Sequence, residues 1–93
     1  MKKFITIFGQ KVQIKYVDLS ECDYDGLFNG ETQTIYISKT LKGKHLQKVL
    51  VHELIHAVLD RIGAHQLSIS RDAEEIICEQ LSVFLVEQFN LKV

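Results

Sequence analysis

The hydrophobic periodicity of the chain changes near Lys44, and this change limits the folds that the chain can adopt. Before it, short segments alternate between apolar and polar residues, which is the period of a β-strand. After it, apolar residues recur at intervals of three and four, which is the period of an amphipathic helix. Strands followed by helices predict an α+β fold, in which a small antiparallel sheet of about three strands precedes two packed helices.

The first half of the chain predicts the strands. Residues 3–17 alternate imperfectly around Gly9-Gln10, which indicates a β-hairpin. Residues 18–31 carry five acidic side chains and no basic one, and we interpret them as a solvated loop. Asn29-Gly30 favours a tight turn with positive φ angles, and the β-branched and aromatic residues of Thr32–Ser38 predict a third strand.

The second half predicts two helices. The first begins at about Lys44 and ends at Gly63, a residue type that commonly terminates helices. The second has Ser70 as its N-cap and several acids in its first turn, where the helix dipole favours negative charge. We expect it to run almost to Asn90.

Length and charge narrow the classes of function. A chain of 93 residues suits one domain, and we predict a single domain over residues 1–93. Eleven basic and twelve acidic side chains give a net charge of -1, which lacks the basic footprint of a nucleic-acid-binding protein. No apolar run approaches the roughly 20 residues of a membrane span, and no secretory signal is evident. We therefore expect a cytoplasmic protein that binds neither nucleic acid nor membrane.

The segment His52-Glu53-Leu54-Ile55-His56 places two histidines four residues apart on the first predicted helix. This spacing brings both imidazoles to one face, one turn apart, where they can bind a single Zn²⁺. Glu53 would then act as the general base on a zinc-activated water. A catalytic zinc ion normally has three protein ligands and a water, so a further ligand is expected from the second helix.

Three acids of the second helix, Glu74, Glu75 and Glu79, are candidates for the third ligand. They cannot all face the metal, because adjacent helical residues point about 100° apart. Glu75 and Glu79 share a stripe with the small residues Cys78 and Ser82, which would let the two helices approach closely. This favours Glu75 as the ligand and Glu79 as an acceptor for the second N–H of a ligand histidine. Glu79 and Glu74 stay open as alternative ligands.

These motifs resemble those of a known family, the short zincin-like zinc metallopeptidases of bacteria and their phages, including the ImmA/IrrE type. The resemblance spans about residues 23–86 and comprises Gly26 and Phe28 ahead of a strand, the His-Glu motif, and the run from Glu75 to Ser82. It implies a minimal zincin-like fold, hydrolysis of peptide bonds with a zinc cofactor, and Glu75 as the third ligand.

A peptidase also needs a strand that binds the substrate and a donor that stabilises the oxyanion. For the strand we predict a peptide-binding edge formed by Thr34, Ile35, Tyr36 and Ile37. The candidate donors are Tyr24, Tyr36, His45 and His65. We therefore predict a zinc metallopeptidase that acts on a peptide or protein substrate. The alternative is a catalytically inactive module, in which zinc joins the two helices and the groove binds a protein.

Overall fold

The computed structural model describes residues 2–89, apart from the side chain of His65. The elements of this range are β1 (Phe4–Ile7), β2 (Gln10–Val17), β3 (Gly26–Asn29), β4 (Thr34–Ser38), α1 (Gly43–Arg61) and α2 (Arg71–Gln88). A short 3₁₀ helix over Ala64–Leu67 joins α1 to α2. The predicted α+β fold with two packed helices is confirmed.

The sheet has four strands in the order β1-β2-β4-β3 and is mixed. The pair β1/β2 is the antiparallel hairpin expected from the sequence, and the pair β3/β4 is also antiparallel, but β2 and β4 run parallel. The chain crosses from β2 to the far edge of the sheet, forms β3 there, and turns back so that β4 lies in the centre. Strand β3 lies within the segment predicted as a loop. It has four residues and only two large apolar side chains, too few to show an alternating pattern.

Both hairpin turns differ in detail from the expected ones. In the first, Phe8 (φ 50°) and Gly9 (φ 79°) form a two-residue loop of type I′ character, one residue before the predicted position. In the second, the residue with positive φ is Gln33 (φ 51°), not Asn29 or Gly30. Asn29 instead stabilises the turn through its side-chain oxygen, which accepts hydrogen bonds from two following backbone N–H groups at 2.9 and 3.2 Å.

The helices match the sequence prediction closely. Gly63 lies just beyond α1 with φ 73°, a conformation that costs glycine little. The Ser70 hydroxyl accepts a hydrogen bond from the Ala73 backbone N–H at 3.1 Å, so Ser70 is the N-cap of α2. In the described part of the chain, no helix combines the length and the apolar character that a bilayer span requires.

One face of the sheet packs against α1 and forms the core. The core is built largely from aliphatic side chains, including Val12, Ile14, Ile35, Ile37, Leu46, Leu50 and Ala57. The opposite side of α1 packs against α2, where Cys78 and Ser82 are fully buried. These small side chains allow the close helix contact expected from the sequence.

Gly26 of β3 lies directly against α1. A Cβ atom at this position would be 2.8 Å from Val49 Cγ1 and 3.1 Å from Glu53 Cγ. We expect Gly26→Ala to lower the free energy of unfolding by about 1–3 kcal/mol, because the short valine side chain cannot move away without a shift of the backbone. Urea denaturation followed by circular dichroism would measure this loss.

Gly30→Ala is the matched control for this prediction. A Cβ atom at Gly30 would meet its nearest neighbour, Asp60 Oδ1, at 3.5 Å, which is an ordinary contact distance. Equal losses of stability in the two variants would contradict the close approach of β3 to α1.

Candidate metal centre

Helix α1 presents His52 and His56 towards α2. Their ring centroids are 5.1 Å apart, and only 17% and 14% of the two side chains is exposed. The four-residue spacing places both rings on one face of α1, as predicted. The adjoining α2 therefore decides which groups complete the site.

Glu75 is the carboxylate on which the two histidines converge. Its Oε1 lies 2.8 Å from His56 Nε2, and its Oε2 lies 3.4 Å from His52 Nε2. One ligand atom from each of the three residues lies within 4.8 Å of the others, so the group could hold a metal ion. The structure thus brings together the three residues selected from the sequence, and Glu75 keeps 59% of its side chain exposed.

Two further carboxylates contact the Nδ1 atoms of the histidines. Glu74 Oε2 lies 2.5 Å from His56 Nδ1, and Glu79 Oε2 lies 3.3 Å from His52 Nδ1. Glu79 also pairs with Lys48 Nζ at 2.8 Å, and this hydrogen bond lowers the pKa of Glu79. Glu79 lies in the predicted supporting position, and Glu74, a predicted alternative ligand, likewise contacts an Nδ1 atom. Such carboxylates fix the tautomer and the orientation of ligand imidazoles.

The chemistry of this donor set fits a bound cation. A neutral His56 that donates Nδ1–H to Glu74 directs the lone pair of Nε2 towards the Glu75 carboxylate, 2.8 Å away. Two acceptors at this distance repel each other unless a proton or a metal ion neutralises them. Two imidazoles and one glutamate are also a known ligand set of catalytic zinc. The residues present therefore suit zinc.

Glu53 lies beside the group and is largely buried, with 8% of its surface exposed. Burial raises the pKa of its carboxyl, and the negative charge of Glu75 acts in the same direction. The positive charge that His56 and His52 can carry, and a hydrogen bond with the Phe28 backbone, oppose this shift. A carboxylate with a raised pKa is suited to accept a proton at neutral pH.

A cleft of about 720 Å³ opens beside Glu53. Residues Gly26–Phe28 of β3 form one wall, the first turn of α2 forms another, and α1 lines the base. Strand β3 is an edge strand, whereas β4 is hydrogen-bonded to a neighbour on each side. The prediction that residues 34–37 form a peptide-binding edge is therefore wrong. The chain reversal after β3 places β4 in the interior of the sheet and leaves β3 above the site.

Arg71, the first residue of α2, is a cleft residue that the sequence interpretation missed. It lies four residues before Glu75, and this helical spacing was the available signal. The oxyanion donors predicted from the sequence are tyrosines and histidines. Of those candidates, Tyr24 lines the cleft and is 45% exposed.

The remaining candidate donors are less well placed. Tyr36 alternates on β4 with Ile35 and Ile37, both fully buried in the core, so its side chain points to the opposite face of the sheet. His45 lies 3.5 Å from Asp25 and lines a smaller neighbouring cavity. The side chain of His65 lies outside the described part of the structure.

The two cysteines differ sharply in environment. Cys78 is fully buried between the helices, and this burial, together with nearby glutamates, raises the pKa of its thiol to about 12. Cys22 is exposed. Since the thiolate is the reactive form, we expect Ellman's reagent to modify one thiol per native chain and the second after unfolding in guanidinium. A Cys22→Ser variant should show no rapid reaction, and fast labelling of that variant would contradict the burial of Cys78.

Comparison with family models, with curated proteins and with solved structures gives no match to this chain. The resemblance to zincin-like metallopeptidases therefore rests on the motifs of the chain. The geometry of the histidines and glutamates provides the basis for a functional proposal.

Proposed function

We propose that this protein is a zinc-dependent metallopeptidase that hydrolyses a peptide bond in a protein partner. The main support is the convergence of both histidine Nε2 atoms on Glu75 while Glu74 and Glu79 contact the two Nδ1 atoms. A site built to bind zinc needs both features, because ligands must face one point and their rings must be held in orientation.

The residues around the site suit the hydrolysis of an amide. Bound zinc would supply a water of lowered pKa and would polarise the scissile carbonyl. Glu53 adjoins His52 in sequence and lines the cleft, so it is placed to take a proton from the attacking water and deliver it to the leaving amine. Arg71 brings a permanent positive charge to the same cleft, where negative charge would develop on the carbonyl oxygen.

Strand β3 provides a means of binding the substrate. Its outer edge is unpaired within the described sheet, so its backbone can form hydrogen bonds with an extended peptide. Gly26 and Phe28 adjoin Glu53, so a peptide bound along β3 would pass beside the general base. With only four residues, β3 would bind a short segment of the substrate.

The proposal is tested by incubating zinc-loaded protein with the soluble proteins of the source cell. New amino termini are then labelled and identified by mass spectrometry. We expect specific new termini with the zinc-loaded protein and none after treatment with 1,10-phenanthroline. Absence of new termini in both samples would favour the inactive module in which zinc joins α1 to α2.

A further inference from the structure

Helix α2 has a second apolar face that does not take part in the metal centre. The face that packs on α1 contains Cys78, Ser82 and Val86, which are all buried. On the other side, Ile76, Leu81 and Phe84 are 63%, 44% and 53% exposed. With Ile77 they recur at helical spacing and form one stripe. We call this stripe the outer face of α2, formed by Ile76, Ile77, Leu81 and Phe84.

This stripe is an unusual surface for a small soluble domain. Single exposed apolar side chains are common, but contiguous apolar patches mark sites of interaction. Within residues 2–89, α1 is the helix that packs against α2, and it does so on the opposite side. The outer face is therefore available to another molecule.

The dimensions of the outer face suit a single helix. From Ala73 to Gln88 the helix rises about 23 Å, and it is about 10 Å wide. A strip of this shape matches the apolar side of one partner helix.

The charges on α2 indicate which kind of partner helix would bind the outer face. Helix α2 carries five acids (Asp72, Glu74, Glu75, Glu79 and Glu87) and one base, Arg71. Asp72 and Glu87 lie near the two ends of the outer face, and Arg71 lines the cleft instead. A second copy would bring carboxylates towards carboxylates, whereas a basic partner would complement them.

We infer that the outer face of α2 docks an amphipathic helix of a partner protein, with lysine or arginine flanking the apolar stripe of that helix. This mode of binding uses apolar anchors at helical spacing, and the charges set the partner and the orientation. Ile77 and Phe84 of the outer face lie on the side of α2 away from Glu75. The inference goes beyond the proposed peptidase activity and does not depend on the metal.

Fluorescence anisotropy with two labelled 18-residue helical peptides tests this inference. Both peptides carry the same leucine stripe, which lysines flank in one and glutamates flank in the other. We expect the lysine peptide to bind at least tenfold more tightly, and Ile76→Ser/Phe84→Ser to weaken its binding at least tenfold. Glu87→Lys should reduce the preference for the lysine peptide. Phe4→Ser is the matched control, since Phe4 is 48% exposed on β1 and its loss should leave binding unchanged.

Circular dichroism and the melting temperature would verify that each variant is folded. Equal binding of the two peptides, or an equal loss in Phe4→Ser, would overturn the assignment. A further overturning result is a dimer in sedimentation equilibrium that Phe84→Ser dissociates, because the occupant of the outer face would then be a second copy.

Discussion

We expect His52→Ala and His56→Ala each to abolish the binding of about one zinc ion per chain. Both imidazoles direct Nε2 towards Glu75, so removal of either one leaves two protein ligands. Zinc would join α1 to α2 in a small domain, and its loss should therefore also lower the melting temperature. Metal analysis and titration calorimetry of the purified variants would measure both effects. His45→Ala is the matched control, because His45 lies at the start of α1 and pairs with Asp25.

We also predict that the three glutamates of α2 differ in how much their loss weakens zinc binding. Glu75→Ala should weaken zinc binding most, because Glu75 faces both Nε2 atoms. Glu74→Ala and Glu79→Ala remove only the carboxylates that contact the Nδ1 atoms. Each should reduce the affinity for zinc about 10- to 100-fold. If Glu74→Ala proves the most damaging of the three, Glu74 and not Glu75 is the ligand. Full zinc binding by His52→Ala would overturn the site as a whole.

Glu53→Gln is expected to reduce peptide hydrolysis by about 10²- to 10⁴-fold without loss of zinc, as befits removal of a general base. Glutamine keeps the size of the side chain and removes the ability to accept the proton of the attacking water. Cleavage assays with the zinc-loaded variant, alongside metal analysis of the same sample, would measure both quantities. Equal cleavage by the two proteins would show that Glu53 is not the general base.

The stability of Glu53→Gln separates lost catalysis from lost folding. Burial raises the pKa of Glu53 above its unfolded value, so the folded protein disfavours the ionised carboxyl. The metal-free wild type therefore loses stability as the pH rises through that raised pKa, and the glutamine variant does not. We therefore compare the melting temperatures of the variant and the wild type at two pH values. We expect the difference, variant minus wild type, to be larger at pH 8 than at pH 4. A variant that is less stable than wild type at pH 8 would contradict the burial of this charge.

Much of the candidate site could be predicted because its residues are related by helical geometry. The spacing of His52 and His56 places both on one face of α1 wherever that helix packs. The small Cys78 and Ser82 likewise identified the side of α2 that approaches α1, and this selected Glu75. The partners of the two Nδ1 atoms depend on how the helices are rotated and offset against each other. Periodicity does not specify these quantities, and so the sequence alone does not distinguish Glu74 from a ligand.

Local sequence predicts the strands of the sheet, whereas their order depends on long-range contacts. Alternation of apolar and polar residues was enough to predict β2 and β4. Gly63 and Ser70 were enough to predict where the helices end and begin, because capping signals act over a few residues. The order of the strands depends on pairing between distant segments and on the burial of the faces they share. Strand β4 pairs with both β2 and β3, so β4 lies at the centre of the sheet and the unpredicted β3 lies at the edge beside the candidate metal centre. The four-residue spacing puts Arg71 on the same side of α2 as Glu75, but only the packing of α2 against α1 places that side at the cleft.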